Sequence, residues 1–170
     1  MDYKVLDMEK YYRKDIYRHF TMDCKCSVMI TSKIDVSELV AYSKQTGTKF
    51  YINFLYVLTK ALNTRDDYKM RYLYQEDKLV VFDKINTAHY VFHEDTETFT
   101  VVYTEFSEDY QAFYDRCCAD MEKAKQTRSY GLDGSKLNYF DASYISWLSY
   151  DLSPAPSADS EKLSMAGSFP

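Results

Sequence analysis

Apolar residues recur along this chain with two periods, and the period changes mark out its elements. Behind Asp7, Met8, Tyr12, Ile16 and Phe20 return every fourth residue, which predicts a helix with Asp7 as its N-cap. From Cys26, "CSVMITSKID" reads as a strand. Asp35 and Glu38 then form a D-x-x-E variant of the capping box, and Gly47 suits the end of the helix that follows. "FYINFLYVLTKALN" (50–63) is apolar nearly all round, so a buried helix is expected there. "KLVVF" (78–82) predicts a short strand, and "HYVFHEDTETFTVVYTEF" (89–106) has the pattern of a β-hairpin. Ser107 is placed to cap a further helix that brings Tyr110, Phe113, Tyr114, Cys117 and Met121 onto one face. "YFDASYISWLSY" (139–150) alternates with period two, so that as a strand Asp141, Ser143, Ile145 and Trp147 share one side. Helix and strand signals together predict a mixed α/β or α+β fold.

Composition changes this picture at one place. After Tyr150 the aromatic residues stop apart from Phe169, and all three prolines fall at 154, 156 and 170. Such a segment buries too little to offset its ordering entropy, so a domain over residues 1–152 followed by a Pro/Ser-rich divergent tail over 153–170 is expected. A length of 170 residues with 46% hydrophobic residues suffices for one domain with a sizeable core. The 18 Tyr and 10 Phe suit interfaces and ligand pockets, and equally fit a plain bias in composition.

Charge and cysteine usage exclude several classes. The formal net charge is −5 and no block of Lys or Arg occurs, which argues against a nucleic-acid partner. No apolar run reaches membrane-spanning length and "MDYKVLDMEK" lacks the apolar core of a signal peptide, so no membrane partner and a cytoplasmic location are expected. Cys24, Cys26, Cys117 and Cys118 lie at adjacent and alternate positions that support neither a disulfide framework nor a zinc site; free thiols and no metal are the expectation.

Candidate chemistry is sparse. The four glycines are scattered and make no phosphate loop, and no H-E-x-x-H spacing is present. The three histidines are His19, His89 and His93; the last two, four apart, fall on one face of a strand. His93, Glu94, Asp95 and Glu97 are either a catalytic cluster or a polar turn between two strands. Ser143 and Trp147 are able to floor a pocket, or to pack an inner face.

Several stretches together resemble the chloramphenicol acetyltransferase family: "YYRKDIYRHF" (11–20), "TSKIDVSELV" (31–40), "KFYINFLYVLTKALN" (49–63), "KLVVFDKI" (78–85), "YVFHEDTETFT" (90–100) and "YISWLSYDL" (144–152). The pattern F-H-x-x-T-E-T-F is the most specific of these, and the resemblance extends from about residue 3 to about residue 152. It implies an α/β two-layer sandwich, a mixed sheet with helices, assembled as a homotrimer with active sites between subunits. It implies acetyl transfer from acetyl-CoA, as co-substrate, to the primary hydroxyl of chloramphenicol or a related hydroxylated acceptor. A hydroxyl attacks a thioester at neutral pH only with a base in hydrogen-bond reach, and the family takes that base from the His of an H-H-x-x-x-D-G motif. Carried over by position, Ser143 stabilises the oxyanion. Phe20, Cys26 and Phe99 lie on the acceptor side, Tyr51 and Trp147 on the CoA side, and Arg13 is the buried arginine that pairs with the motif's Asp.

The chain departs from the family in ways that bear on activity. The 170 residues contain no H-H-x-x-x-D-G, resemblance ceases after Leu152, and Ser146 stands where the family has Pro before Trp. The fold is therefore expected to be incomplete at the C-terminus, and Arg13 to lack its buried partner, which would cost several kcal/mol. An exposed sheet edge and reduced stability or altered oligomerisation are expected with it. Three readings follow. The chain is a member of this enzyme family that is inactive as these residues stand, or a non-catalytic module that binds chloramphenicol or CoA or associates with full-length subunits. In the third, His89 or His93 serves as a relocated base beside Ser143.

Overall fold

The computed structural model describes residues 2–24, 29–132 and 134–144. The chain divides into a main unit, built from residues up to Ser27 and from Ile34 to Tyr144, and a second unit of which residues 29–33 are described; these carry no regular secondary structure.

The main unit holds two three-stranded sheets and four α-helices among its described residues. In the first sheet β3 (Lys78–Phe82) lies between β1 (Tyr3–Val5) and β2 (Met70–Leu73), antiparallel to both. In the second, β4 (Asn86–His93) lies between β5 (Thr98–Thr104) and β6 (Tyr139–Ala142). β5 runs antiparallel to β4, with His93 opposite Thr98, and β6 runs parallel to it, with His89 beside Ala142. β6 is thus an edge strand.

Period two along β4 assigns its two faces. Thr87, His89, Val91 and His93 turn toward the helices, while Tyr90 and Phe92 turn away. On the helix side lie α3 (Phe50–Asn63) and α4 (Tyr110–Lys125), whose Ile52, Leu55, Phe113 and Cys117 enclose a core with Phe106. Ala124 extends this layer over Val91 and Val102. Leu73, Val80, Phe82 and Ile85 form a second core that Leu62 of α3 and Phe140 of β6 complete. The architecture is helices on sheet, in two layers, with no closed barrel.

Buried amides lock the elements together. Asn53, 2% exposed on α3, donates to the Ser43 and Thr48 hydroxyls at 2.8 Å each and accepts from the Tyr110 hydroxyl at 2.7 Å. It ties α3 to α4 and to α2 (Ser37–Thr46). Asn63 pairs with Ile85 in both directions, donating to its carbonyl at 2.9 Å and accepting from its N–H at 3.0 Å.

The helix over 50–63, the strand over 78–82 and the hairpin stand as the pattern predicts. The turn of the hairpin passes through Glu97 at φ +53°, and Glu94 to Glu97 are exposed, a polar turn. Gly47 ends α2 at φ +65°, where a residue without Cβ is favoured. Other expectations are corrected. The stripe Met8, Tyr12, Ile16, Phe20 forms only α1 (Lys14–Arg18) and a π-turn over His19–Asp23, because Tyr12 is 81% and Ile16 61% exposed and no core rewards a longer helix. Asp7 accepts instead from the Glu9 N–H, in a turn. No strand forms over 29–35; Met29, Ile30 and Ile34 are exposed there, and residues 25–28 lie outside the described residues. The cap of α4 is Asp109, whose Oδ1 accepts from the Ala112 N–H at 2.7 Å, while Ser107 accepts from Asp109 itself. β6 ends at Ala142, and Ile145 to Tyr150 lie outside the described residues.

Candidate functional site

Ser143 is exposed and follows directly on β6, at the edge of the second sheet. The residues on either side of it face α3. The Tyr51 hydroxyl donates to the Ala142 carbonyl at 3.1 Å, and the Tyr51 ring stacks on Tyr144, centroids 5.4 Å apart and planes 21° apart. Ser143 stands between Ala142 and Tyr144, two positions after Asp141, which lies on the opposite face of β6 from Ala142. Burial pushes the Tyr51 phenol well above its ordinary range, so it remains a donor at any physiological pH.

The face away from the helices carries aromatic side chains. Tyr90 of β4 meets Phe99 of β5 edge to face at 5.4 Å, and Phe99 meets Tyr130 at 6.3 Å. The Tyr90 hydroxyl donates to Asp141 Oδ1 at 2.9 Å. Burial, then the bond to Asp141 and its charge, push the Tyr90 phenol up to about 12. Phe99 and Tyr51 therefore stand on opposite faces of one sheet, with Ser143 at its edge.

The remaining expected residues are spread more widely. Phe20 is half exposed and meets the adjacent His19 ring at 5.0 Å. Arg13 is not buried: it is exposed, with its guanidinium 4.9 Å over the Tyr12 ring, where water solvates it and the penalty of an uncompensated buried charge does not arise. Cys26 and Trp147 lie outside the described residues. The largest cleft among those characterised, about 500 Å³ and lined by Arg13, Tyr12, Asp67 and Phe82 among others, includes none of Ser143, Phe99 and Tyr51.

None of the three histidines stands with Ser143. His19 is at the surface, 3.5 Å from Asp23. His93 is buried, and its Nε2 lies 2.8 Å from Thr100 Oγ1. The Thr100 hydroxyl already donates to the Ser129 carbonyl at 2.9 Å, so Nε2 carries the proton and donates to it. His93 thus braces β4, β5 and the segment after α4, a structural part of the hairpin.

His89 is fully buried, with Nε2 3.9 Å from Cys117 Sγ and no hydrogen-bond partner at Nδ1. Burial lowers its pKa to about 4 and raises the Cys117 thiol to about 12, so both are neutral at pH 7. A neutral thiol sealed in a core is no nucleophile. Both His89 and His93 lie on the helix face of the sheet; His89 is beside Ala142 in the register, yet neither is hydrogen-bonded to Ser143 among the described residues.

Tyr90 and Tyr130, which meet Phe99, and Tyr144, which stacks on Tyr51, were not distinguishable in the sequence from the other tyrosines of the 18. Only the period-two pattern of the hairpin separates Tyr90 from His89. Among the described residues no group of three or more His, Cys, Asp or Glu is placed to hold a metal ion, and no helix is long and apolar enough to cross a membrane.

Comparison with known proteins brings these features together. A family model described as "Chloramphenicol acetyltransferase" matches residues 1–155. The chain is 26% identical over 151 residues to a chloramphenicol acetyltransferase of Clostridium perfringens, covering 88% of this chain and 68% of that protein. It is 27% identical over 152 residues to chloramphenicol acetyltransferase 3 of Escherichia coli (89% and 70% covered), and 28% identical over 151 residues to a relative of the same name in Staphylococcus aureus (88% and 69%). A solved chloramphenicol acetyltransferase superposes with a TM-score of 0.70 at 16% identity, covering 88% of this chain and 75% of that one. At that identity the likeness shows the fold: an α/β two-layer sandwich of this type.

Proposed function

Because the chain belongs to the chloramphenicol acetyltransferase family, we propose that the edge of the second sheet is its acetyl-transfer site, with chloramphenicol or a related alcohol as acceptor and acetyl-CoA as donor. One observation supports this reading: Tyr51 and Phe99 lie on opposite faces of the second sheet, whose strand β6 leads directly into Ser143, an arrangement that suits two substrates approaching from two sides. In the reaction the acceptor hydroxyl attacks the thioester carbonyl. A C–O bond forms, the C–S bond breaks, and CoA leaves as the thiol with the proton that the base took from the acceptor. Ser143 donates to the oxyanion of the tetrahedral intermediate, where one well-placed donor is typically worth about 10²–10³ in rate. Phe99, with Phe20 and Cys26, serves the acceptor; Tyr51, with Trp147, serves CoA and steadies the backbone at Ala142. A site of this kind that lies between subunits is half-built in a single chain, which accounts for a largest cleft elsewhere.

The proton needs a base; His19 and His93 are engaged elsewhere, and His89, though beside Ala142 in the register, is buried and neutral. We therefore assign these 170 residues ligand binding without turnover. Release of CoA thiol from acetyl-CoA in the presence of chloramphenicol tests the second part, and titration calorimetry with chloramphenicol and with CoA tests the first. Heat of binding with no thiol release is the expected result. Turnover that Ser143→Ala reduces would support the site and overturn the assignment of inactivity. No heat at millimolar ligand would overturn binding.

A further inference from the structure

Asp141 adds a charge to an otherwise aromatic face. It is exposed at the end of β6, two residues before Ser143, and among the described residues no Lys or Arg pairs with it. The Tyr90 hydroxyl donates to its Oδ1 at 2.9 Å, and burial followed by that bond pushes the phenol up to about 12, so it stays a donor. The carboxylate is thus held in place and open to solvent. Beside it Tyr90, Phe99 and Tyr130 form a continuous run of ring contacts whose faces carry the negative side of the aromatic quadrupole. A carboxylate at the end of an aromatic wall is an arrangement that suits a positively charged group attached to an apolar or aromatic body. A neutral ligand gains only the rings there, and a group rich in acceptor oxygens meets a like charge.

We propose that Asp141, held by Tyr90, is a specificity-determining residue that selects alcohols bearing an ammonium group over neutral alcohols of the same shape. The proposal rests on the reading of the Phe99 face as the acceptor side. Tyr90 acts through Asp141 as a positioning residue, and the acceptor's hydroxyl is left free to lie toward Ser143.

Binding to the 170-residue chain tests this without need of turnover. The probes are 2-amino-1-phenylpropane-1,3-diol, which has a primary hydroxyl, a phenyl ring and an ammonium group, and its N-acetyl derivative, which is neutral. The ammonium probe is expected to bind about fivefold more tightly at low salt, the size of one exposed charge pair, and the preference to fall as salt rises. Asp141→Asn brings the two affinities together, Tyr90→Phe, which releases the carboxylate, reduces the preference without abolishing it, and Phe99→Ala weakens both probes alike. Equal affinities in the unmodified chain, or a preference that survives Asp141→Asn, would overturn the charge selection. If both probes bind equally and Phe99→Ala weakens them, the charge selection fails while the acceptor face stands. If neither probe binds, or Phe99→Ala changes nothing, the acceptor face falls and the proposal with it.

Discussion

His89 has a pKa near 6.5 in an open chain and about 4 in the fold, because burial disfavours its charged form. Between those values the unfolded chain binds a proton that the folded chain does not. The contribution of His89 to stability is therefore complete above about pH 6.5 and is lost as the pH falls toward 4, by up to about 3 kcal/mol. The Asp120 carboxyl, which burial raises above its ordinary range, opposes this trend, so the effect is read as a difference between two proteins. Urea unfolding at pH 7.5 and pH 5 should show that His89→Leu loses about 2 kcal/mol less than the unmodified chain between the two conditions. An identical loss in both would mean that His89 is not the titrating group. The variant also removes the unpartnered Nδ1. Neither the burial of His89 nor its contact with Cys117 was legible in the sequence, where 28 positions separate the two. What was legible is that His89 and His93 share a face, because period two belongs to the strand itself.

Elements were readable in proportion to the strength of their pattern. α3 and β3 stand at the predicted bounds because apolar residues run nearly all round the helix and along the strand, a signal that a core then rewards. α1 falls short because a four-residue period says which face a helix would bury and nothing of whether a surface exists to receive it. β1 and β2, of three and four residues, are too short to show a period, and only their pairing with β3 defines them. Asn53 shows the same limit within an element. In an otherwise apolar helix it reads as an anomaly, yet it makes three hydrogen bonds that join α2, α3 and α4. Asn53→Ala should destabilise the fold by about 3 kcal/mol, since it removes three hydrogen bonds, each typically worth about 1 kcal/mol, and takes the acceptor from the Tyr110 hydroxyl. Chemical denaturation checks the magnitude. A loss below about 1 kcal/mol, the net worth of a single ordinary bond, would mean that water replaces the amide. Near the site, Ser143 was legible through resemblance alone; that it follows the strand next to β4 depends on the strand order β5-β4-β6, which no local pattern encodes.

At the scale of the main unit, apolar surface is left without cover on the described residues. Tyr12, Ile16, Phe20 and Met22 follow one another over α1 and the π-turn, and each is about half exposed or more. Phe92, Phe99 and Tyr130 are also exposed on the outer face of the second sheet, in which β6 is an edge strand among the described residues. Contiguous apolar patches of this kind are uncommon on stable monomers and mark surfaces of association. We therefore expect the chain to self-associate as its concentration rises, as sedimentation velocity would show. A charge placed within the α1 patch should oppose it, because burying an unpaired carboxylate costs more than the lost apolar contact returns. Ile16→Glu with Met22→Glu is the fitting pair. Ile16 and Met22 are both well exposed, so the folded main unit tolerates the change, and circular dichroism confirms that it does. The double variant should sediment more slowly than the unmodified chain at the same concentration. If instead the unmodified chain is a monomer at every concentration, the patch is solvated and association through it is wrong. If the variant associates equally, the outer face of the second sheet or its β6 edge is the surface responsible. Phe92→Glu, which leaves Ser143, Asp141 and Phe99 in place, then separates the two.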